Sequence, residues 1–222
     1  EELDTRGLSV IVIATCGDME LEFKVDDYAI EGFNSAEEGE QTLTVSANGV
    51  SATTVVHVAN VEITPDEDGI VKALVDPAYL GIRGHLSGPY HVFSTIQQAL
   101  DFLAHVDAAT LKQLTIAPGQ YYEKLEITIP NLTIEGVGEK PEDVVIEWDS
   151  LYGLEDAGGF THTTDSTATV AIRDSAVNVE IRNVTISNYW NTQERMDKAG
   201  LAIERGLALL VQSDRFIMKD SR

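Results

Sequence analysis

The chain has 222 residues, enough for one large or two small domains, and its 43% apolar content supports a packed core and argues against a disordered chain. Fifteen Lys and Arg stand against 37 Asp and Glu, a formal net charge of −22 that argues against nucleic acid and anionic membrane surfaces as partners. No apolar run approaches the length needed to cross a bilayer, and the single cysteine, Cys16, allows no intrachain disulfide.

From Leu8 to about Ile63 short apolar runs recur at short intervals: LSVIVIA, MELEFKV, YAIEGF, QTLTVSA and SATTVVHVANVEI. Turn residues separate them, at Cys16 Gly17 Asp18, Asn34 Ser35, Glu38 Gly39 and Asn48 Gly49. Short alternating strands with such turns predict a small β-sandwich, and Asn48-Gly49 predicts a two-residue hairpin. Cys16 reads as a buried or half-buried small hydrophobe in one of these strands, in preference to a reactive thiol. In detail, Glu2 Leu3 Asp4 through Gly7 Leu8, then Gly32 Phe33 Asn34 Ser35, then Gln41 to Val45 resemble the pattern of bacterial Ig-like domains. The resemblance implies a domain over residues 1–63 whose first strand lies before Glu1. It also implies a spacer, or a weak carbohydrate- or surface-contact module, of a secreted bacterial protein.

Residues 64–89 carry Pro65, Pro77 and Pro89 and the acidic run Asp66 Glu67 Asp68, and read as a linker. Ile70 to Val75 is a lead-in strand for a second domain at 90–222. Asp66 to Gly69 lacks the alternate-position ligands and closing Glu of an EF-hand, so a solvated linker is preferred over a calcium loop.

Ser94 with Gln97 three residues on forms a capping box, and Ile96, Ala99, Leu100 and Leu103 recur at helical spacing, which predicts an amphipathic helix closing one end of a sheet stack. Leu114 Thr115 Ile116 then runs into Pro118 Gly119, after which the period becomes two, with Leu125, Ile127 and Ile129 inward and Glu126 and Thr128 outward. Further short strands follow: NLTIEGV, DVVIEW, TATVAI, VNVEIRNVTI, GLALLV and RFIMKD. VEIRNV from Val179 echoes FIMKDS from Phe216, making Asn183 and Asp220 either rungs of a polar ladder or ordinary turn residues. Repeats of this kind suggest a parallel β-helix, because each coil leaves apolar surface until another stacks on it. The expected fold is therefore all-β: a right-handed parallel β-helix with a capping helix, preceded by the Ig-like sandwich. The sequons at Asn131 and Asn183 are read as parts of coils and not as glycan sites.

TIQQAL, then Ile116 Ala117 Pro118 Gly119 Gln120 Tyr121 Tyr122 Glu123, then NLTIEGVG, in this order and spacing, resemble the opening of the pectinesterase family, whose usual pattern I-K-P-G-x-Y-x-E is broken only at Ala117. Thr164 to Val170 is similar to the family's T-x-x-S-A-T-V, Val179 to Asn188 to its next coil, and Leu207 to Arg215 to its segment A-V-A-L-x-V-x-G-D-R. Five collinear matches cover about Tyr90 to Arg222. The resemblance implies hydrolysis of the methyl esters of pectin galacturonate, without metal or other cofactor. In that chemistry one Asp attacks the ester carbonyl, a second Asp is general acid and then base, a Gln steadies the oxyanion, and an Arg holds the nucleophile. Two neighbouring carboxylates can split their pKa values in this way, and a fixed donor supplies the electrostatics.

Most of that machinery is missing from this sequence. The family's Q-D-T-L and G-V-D-F-I-F-G motifs do not occur, and Asp214, in the D-R that precedes them, is implied to be a coil residue. Arg205 falls on the position of the oxyanion Gln, and Thr164 falls on the Thr that touches the sugar, with a coil-capping hydroxyl as its alternative. Leu151 to Thr167 is a long loop of the sort that lines a cleft; within it His162 lacks any accompanying nucleophile motif. His57, His85, His91 and His105 lack metal-ligand spacing. Tyr189 Trp190 is either a sugar-stacking pair or core packing, and Tyr121 and Glu123 read as fold residues.

The chain opens at Glu1 in mid-pattern and ends at Arg222 directly after a strand, which reads as a piece of a longer, secreted or cell-surface precursor with pectin as its partner, inactive alone. The alternatives are a noncatalytic adhesin or glycan-binding stalk, which Arg205 in place of Gln favours, and, with less support, a calcium-dependent β-helix polysaccharide lyase. A cleft for an anionic galacturonan must be locally less acidic than the surface as a whole.

Overall fold

The computed structural model describes residues 10–16, 19–25, 27–58, 61–153, 160–188 and 206–222. The chain divides into two compact units, Glu1–Val61 and Glu62–Arg222.

In the first unit β1 (Val10–Cys16) pairs antiparallel with β2 (Met19–Val25), and β3 (Ala29–Glu31), β4 (Gly39–Ala47) and β5 (Val50–Val58) form an antiparallel three-stranded sheet. The predicted hairpin is present: Asn48 and Gly49 both have positive φ, 50° and 80°, the requirement of a turn that matches the strand twist. Gly32 takes φ 95°, and a Cβ there would lie 2.5 Å from the carbonyl oxygen of Thr42, so only glycine fits. The Gln41 amide nitrogen donates to the carbonyls of Asn34 (2.7 Å) and Glu37 (2.6 Å), while its oxygen accepts from the Asn34 N–H (2.8 Å). One side chain thus ties the Gly32–Ser35 and Gln41–Val45 segments together. Cys16 is the last residue of β1.

The second unit contains β6 (Val71–Val75), β7 (His85–Ser87), β8 (Tyr90–Phe93), α1 (Ile96–Leu103), β9 (Lys112–Ile116), β10 (Gly119–Tyr122), β11 (Leu125–Ile127), β12 (Leu132–Gly136), β13 (Val144–Trp148), β14 (Val170–Ile172), β15 (Val179–Arg182), β16 (Thr185–Asn188), β17 (Leu209–Val211) and β18 (Ile217–Lys219). They form a seven-stranded first sheet, β7-β8-β6-β9-β12-β15-β18, a second sheet β10-β13-β16 and a third β11-β14-β17. All neighbours are parallel except β7 and β8. From β9 onward the chain therefore visits the three sheets in the same order three times and begins a fourth round with β18.

The apolar alternation builds the interior. Ala73, Leu114, Ile134 and Ile181 stand in register across the first sheet and are almost completely buried. Tyr121, Ile146 and Ile186 do the same in the second sheet, and Ile127 beside Ile172 in the third. Leu125, Ile127 and Ile129 are buried while Glu126 and Thr128 are exposed, as their period predicts. Replacing one such interior Ile by Ala leaves a cavity that costs about 2–5 kcal/mol.

Helix α1 buries the four residues expected of it, Ile96, Ala99, Leu100 and Leu103. Its cap differs from the capping box read in the sequence. Thr95, not Ser94, is the N-cap, its Oγ1 accepting from the Gln98 N–H at 3.3 Å. The reciprocal partner comes from elsewhere in the chain: the Glu123 carboxylate accepts from the N–H groups of Ile96 and Gln97, both at 2.9 Å. A carboxylate on two N–H groups at the positive end of the helix satisfies them better than a glutamine amide, and the Gln97 side chain donates to Asp101 instead. Tyr121 is a fold residue too. Its buried hydroxyl donates to the Ala117 carbonyl at 2.7 Å, and burial pushes its pKa far up.

Asn131, Asn178 and Arg215 repeat a positive-φ turn between the third and first sheets, linked by the Asn178 amide donating to Asn131 Oδ1 (2.8 Å) and the Arg215 guanidinium to Asn178 Oδ1. Asn183 and Asp220 both have positive φ, 54° and 46°. Their side chains do not bond to one another; the Asn183 amide donates back to the Gly136 and Gly138 carbonyls, at 2.8 and 3.0 Å. Both sequon amides are thus engaged in the fold, Asn131 through the Ala108 carbonyl at 2.8 Å.

Candidate functional site

Connections from the second sheet to the third differ sharply between rounds. Two residues, 123–124, suffice in the first round, whereas residues 149–169 and 189–208 make the passage in the second and third. The described ends of these two longer passages, 149–153, 160–169 and 206–208, come together beside Asn188, and long connections are where a fold can build a site.

Asn188, at the end of β16 and 8% exposed, clasps the described bases of both excursions. Its amide nitrogen shares its two hydrogens among the carbonyls of Ser150 (2.9 Å), Thr167 (3.0 Å) and Leu207 (3.1 Å). The Thr167 hydroxyl accepts from the Leu207 N–H at 3.1 Å and donates to the Thr164 carbonyl at 2.6 Å. Gly206 lies against this clasp: a Cβ there would fall 2.8 Å from the Asn188 amide nitrogen and 3.0 Å from the Ser150 carbonyl oxygen. Thr164 is held through its backbone at the start of a short 3-10 turn, Asp165–Thr167. Its side chain makes no cap hydrogen bond to that turn. Arg205, two residues before Leu207, lies outside the described residues, as do Tyr189, Trp190, Gly158 and Gly159.

His162 Nδ1 lies 3.4 Å from the Ser166 hydroxyl. Ser166 Oγ donates to the Thr163 carbonyl (3.1 Å) and accepts from the Thr163 N–H (2.8 Å), the bonding of a turn. His162 meets Phe160 edge-on with ring centres 5.4 Å apart. His91 is buried and spans two loops, facing the Gly84 carbonyl at Nδ1 (2.9 Å) and the Thr64 N–H at Nε2 (3.3 Å). Asp214 lies in the turn between β17 and β18, apart from the excursions, and its carbonyl accepts from the Asn178 N–H at 3.3 Å. Among the described residues no group of three His, Cys, Asp or Glu could hold a metal ion. Asp66 instead organises its own turn, accepting from the N–H groups of Asp68 (3.0 Å) and Ile70 (2.9 Å) and pairing with Lys72 at 2.6 Å. The hydrogen bond from Lys72 holds its carboxyl below the usual range.

The structure also brings together residues that the sequence did not single out. Tyr122, 54% exposed at the end of β10, packs its ring 4.6 Å from that of half-buried Trp148 at 35°, and its hydroxyl donates to Asp149 Oδ1 at 2.5 Å. Two residues on, the Lys124 ammonium donates to the Ser166 carbonyl and so bridges to the turn that begins at Thr164. The strand-end position of Tyr122 and Trp148 was the available signal; their pairing, 26 positions apart in the chain, was not visible in either segment alone.

Residues 1–58 match the family model of the bacterial Ig-like domain (group 3). A search of curated proteins found no match. Solved structures similar to the chain include pectin methylesterase PemA from Erwinia chrysanthemi, 24% identical with a TM-score of 0.53 over 67% of this chain and 42% of that one. They also include a pectin methylesterase in complex with a hexasaccharide, 25% identical, TM-score 0.51, over the same shares of the two chains, and the pectin methylesterase from Yersinia enterocolitica, 26% identical, TM-score 0.51, over 57% and 40%. No helix among the described residues is long and apolar enough to cross a membrane. The chain spans about two fifths of the length of these enzymes, and its N-terminal segment is similar to a bacterial Ig-like domain.

Proposed function

We propose that residues 62–222 form the opening rounds of a right-handed parallel β-helix of the pectinesterase type, and that the protein carrying them hydrolyses methyl esters of pectin galacturonate outside the cell. The supporting observation is the meeting of the described ends of two long second-to-third connections at Asn188. It places the turn of Thr164, the position implied to touch sugar, directly on the 206–207 segment that follows Arg205, with Asn188 and Thr167 locking the two together. The likeness to pectin methylesterases, one of them holding a hexasaccharide, supports the same reading. Residues 1–58 serve as a spacer or surface-contact module ahead of that unit.

The acid/base and nucleophilic Asp motifs do not occur in this sequence, so no step of ester cleavage is assigned to its residues. Thr164 contributes a hydroxyl to the substrate, and Arg205 stands where the family places its oxyanion donor. Val211, Ile217 and Met218 remain 36–46% exposed, although Met218 occupies the inward register of buried Ile181. A further round of strands on β16, β17 and β18 would cover them and carry the next second-to-third junction. The expected result is that the 222-residue chain releases no methanol from esterified pectin, while a chain extended through such rounds does. Methanol release by the 222 residues alone would overturn the assignment of the chemistry to other segments. A second reading, a noncatalytic glycan-binding stalk, draws on Arg205 in place of the amide; absence of methanol from the extended chain with retained galacturonan binding would establish it.

A further inference from the structure

We propose that Tyr122 and Trp148, with Asp149, form a sugar-binding platform beside the Thr164 turn that accepts methyl-esterified, uncharged galacturonan and disfavours the de-esterified chain. The proposal rests on the pectinesterase reading for the polymer's identity and on local chemistry for everything else.

A side chain at the end of β10 that only had to cover the sheet would be short and polar, like Gln120, its outward neighbour along the same strand. Tyr122 instead leaves more than half its surface in water while its ring leans on Trp148, itself only partly covered. Tilted by 35°, the pair forms a shallow, apolar and wettable shelf, and the bond from the Tyr122 hydroxyl to Asp149 fixes its rim. Rigid aromatic faces with polar rims suit a pyranose, which presents C–H groups on its faces and hydroxyls around its edge. The shelf continues into the Thr164 turn through the Lys124 bond to the Ser166 carbonyl, so a polymer lying along the junction meets both.

Charge selects the occupant. Glu147 is the register partner of Tyr122, Asp149 holds its hydroxyl, and Asp165 opens the facing turn, against Lys124 as the cation of this group. Each de-esterified galacturonate brings another negative charge to that acidic surface, and like charges repel within a Debye length of about 8 Å. A methyl ester removes the charge and adds an apolar methyl group.

The test is direct binding to the full 222-residue chain, by calorimetry, of one galacturonan oligomer in methyl-esterified and de-esterified forms, with a cello-oligosaccharide as control. The expected result is preference for the esterified form. Tyr122→Ala is expected to weaken that binding about tenfold, with an unchanged circular dichroism spectrum, since an exposed side chain is removed. Tyr122→Phe should retain most of the affinity. Asp149→Asn, which removes a negative charge and keeps an oxygen to accept from the Tyr122 hydroxyl, should raise the affinity for the de-esterified oligomer and so narrow the preference for the esterified one. Equal binding by wild type and Tyr122→Ala overturns the platform while leaving the pectinesterase reading intact, as does equal affinity for both oligomer forms. Absence of galacturonan binding also overturns the platform; the pectinesterase reading is decided separately, by methanol release.

Discussion

The clasp made by Asn188 can be broken with one atom exchanged. In Asn188→Asp the amide nitrogen that donates to Ser150, Thr167 and Leu207 becomes a carboxylate oxygen facing three carbonyl oxygens, at a residue 8% exposed. The two N–H donors contribute about 0.5–1.5 kcal/mol net each, and a buried carbonyl left without a donor costs about 1–3 kcal/mol, which applies to Ser150 and Thr167 since the Leu207 carbonyl still accepts from the Thr169 N–H. Asn188→Ala, which removes the bonds without adding a charge, should therefore destabilise the 62–222 unit by about 3 kcal/mol, or about 6–12 °C in Tm for a domain of this size. Asn188→Asp should behave differently with pH. Burial against carbonyls raises the folded pKa of the new carboxyl above its unfolded value, so the variant is least impaired below the unfolded value and loses stability as pH rises towards the folded one. Gly206→Ala presses on the same amide from the other side and should lower stability as well. Urea unfolding of the four proteins at several pH values is the assay. Unfolding of Asn188→Ala within about 0.5 kcal/mol of wild type, or an Asn188→Asp deficit independent of pH, would refute the clasp.

Glu123→Ala removes both acceptors from the first turn of α1 and should cost about 2–4 kcal/mol, with Glu123→Gln costing about half; hydrogen exchange at the Ile96 and Gln97 amides reads it locally. Gly136→Ala would bring a Cβ to 2.1 Å from the Asn183 carbonyl oxygen, so the loss should be about 2 kcal/mol or more in urea unfolding, well above that of Gly138→Ala, where the first contact is the Asp143 side chain. The Asp66 carboxyl is held low chiefly by the hydrogen bond from Lys72, so its contribution to stability is present above the unfolded carboxyl value and is lost as pH falls through the lower folded one. Lys72→Met should flatten that acid limb in a thermal-melt series from neutral pH downward.

What the sequence disclosed follows the range of the interaction. The alternation of Leu125, Ile127 and Ile129 is written within five residues, and so is the Asn48-Gly49 turn, where two positive φ values select those residue types. The buried stripe of α1 is equally local, but its cap was misread because the carboxylate that completes it comes from Glu123, beyond two strands. Asn188 could be read only as the end of a coil, since its three acceptors lie 38, 21 and 19 positions away and become neighbours only when successive rounds of strands pair. The motif around Pro118 to Glu123 pointed to a family because its residues do fold work: Tyr121 secures the turn carbonyl and Glu123 the helix.

The register between rounds shows why no fixed repeat length is visible. Leu114 pairs with Ile134 in the first sheet, yet Ile134 pairs with Ile181, and Ile127 with Ile172 in the third. Most of the added length enters between the second and third sheets. The third-to-first junctions hold the positive-φ residues Asn131, Asn178 and Arg215, whose side chains bond from round to round, and an insertion there would break a contact repeated up the stack. At the second-to-third junction the first round needs only residues 123 and 124, and later rounds are free to lengthen provided that both ends of each excursion are pinned. Asn188 does that pinning with one amide, close enough to Thr164 and the 206–207 segment to fix the distance between them. Fold stability and site geometry are therefore coupled at this residue, and a substitution that loosens the clasp should weaken sugar binding before it unfolds the stack.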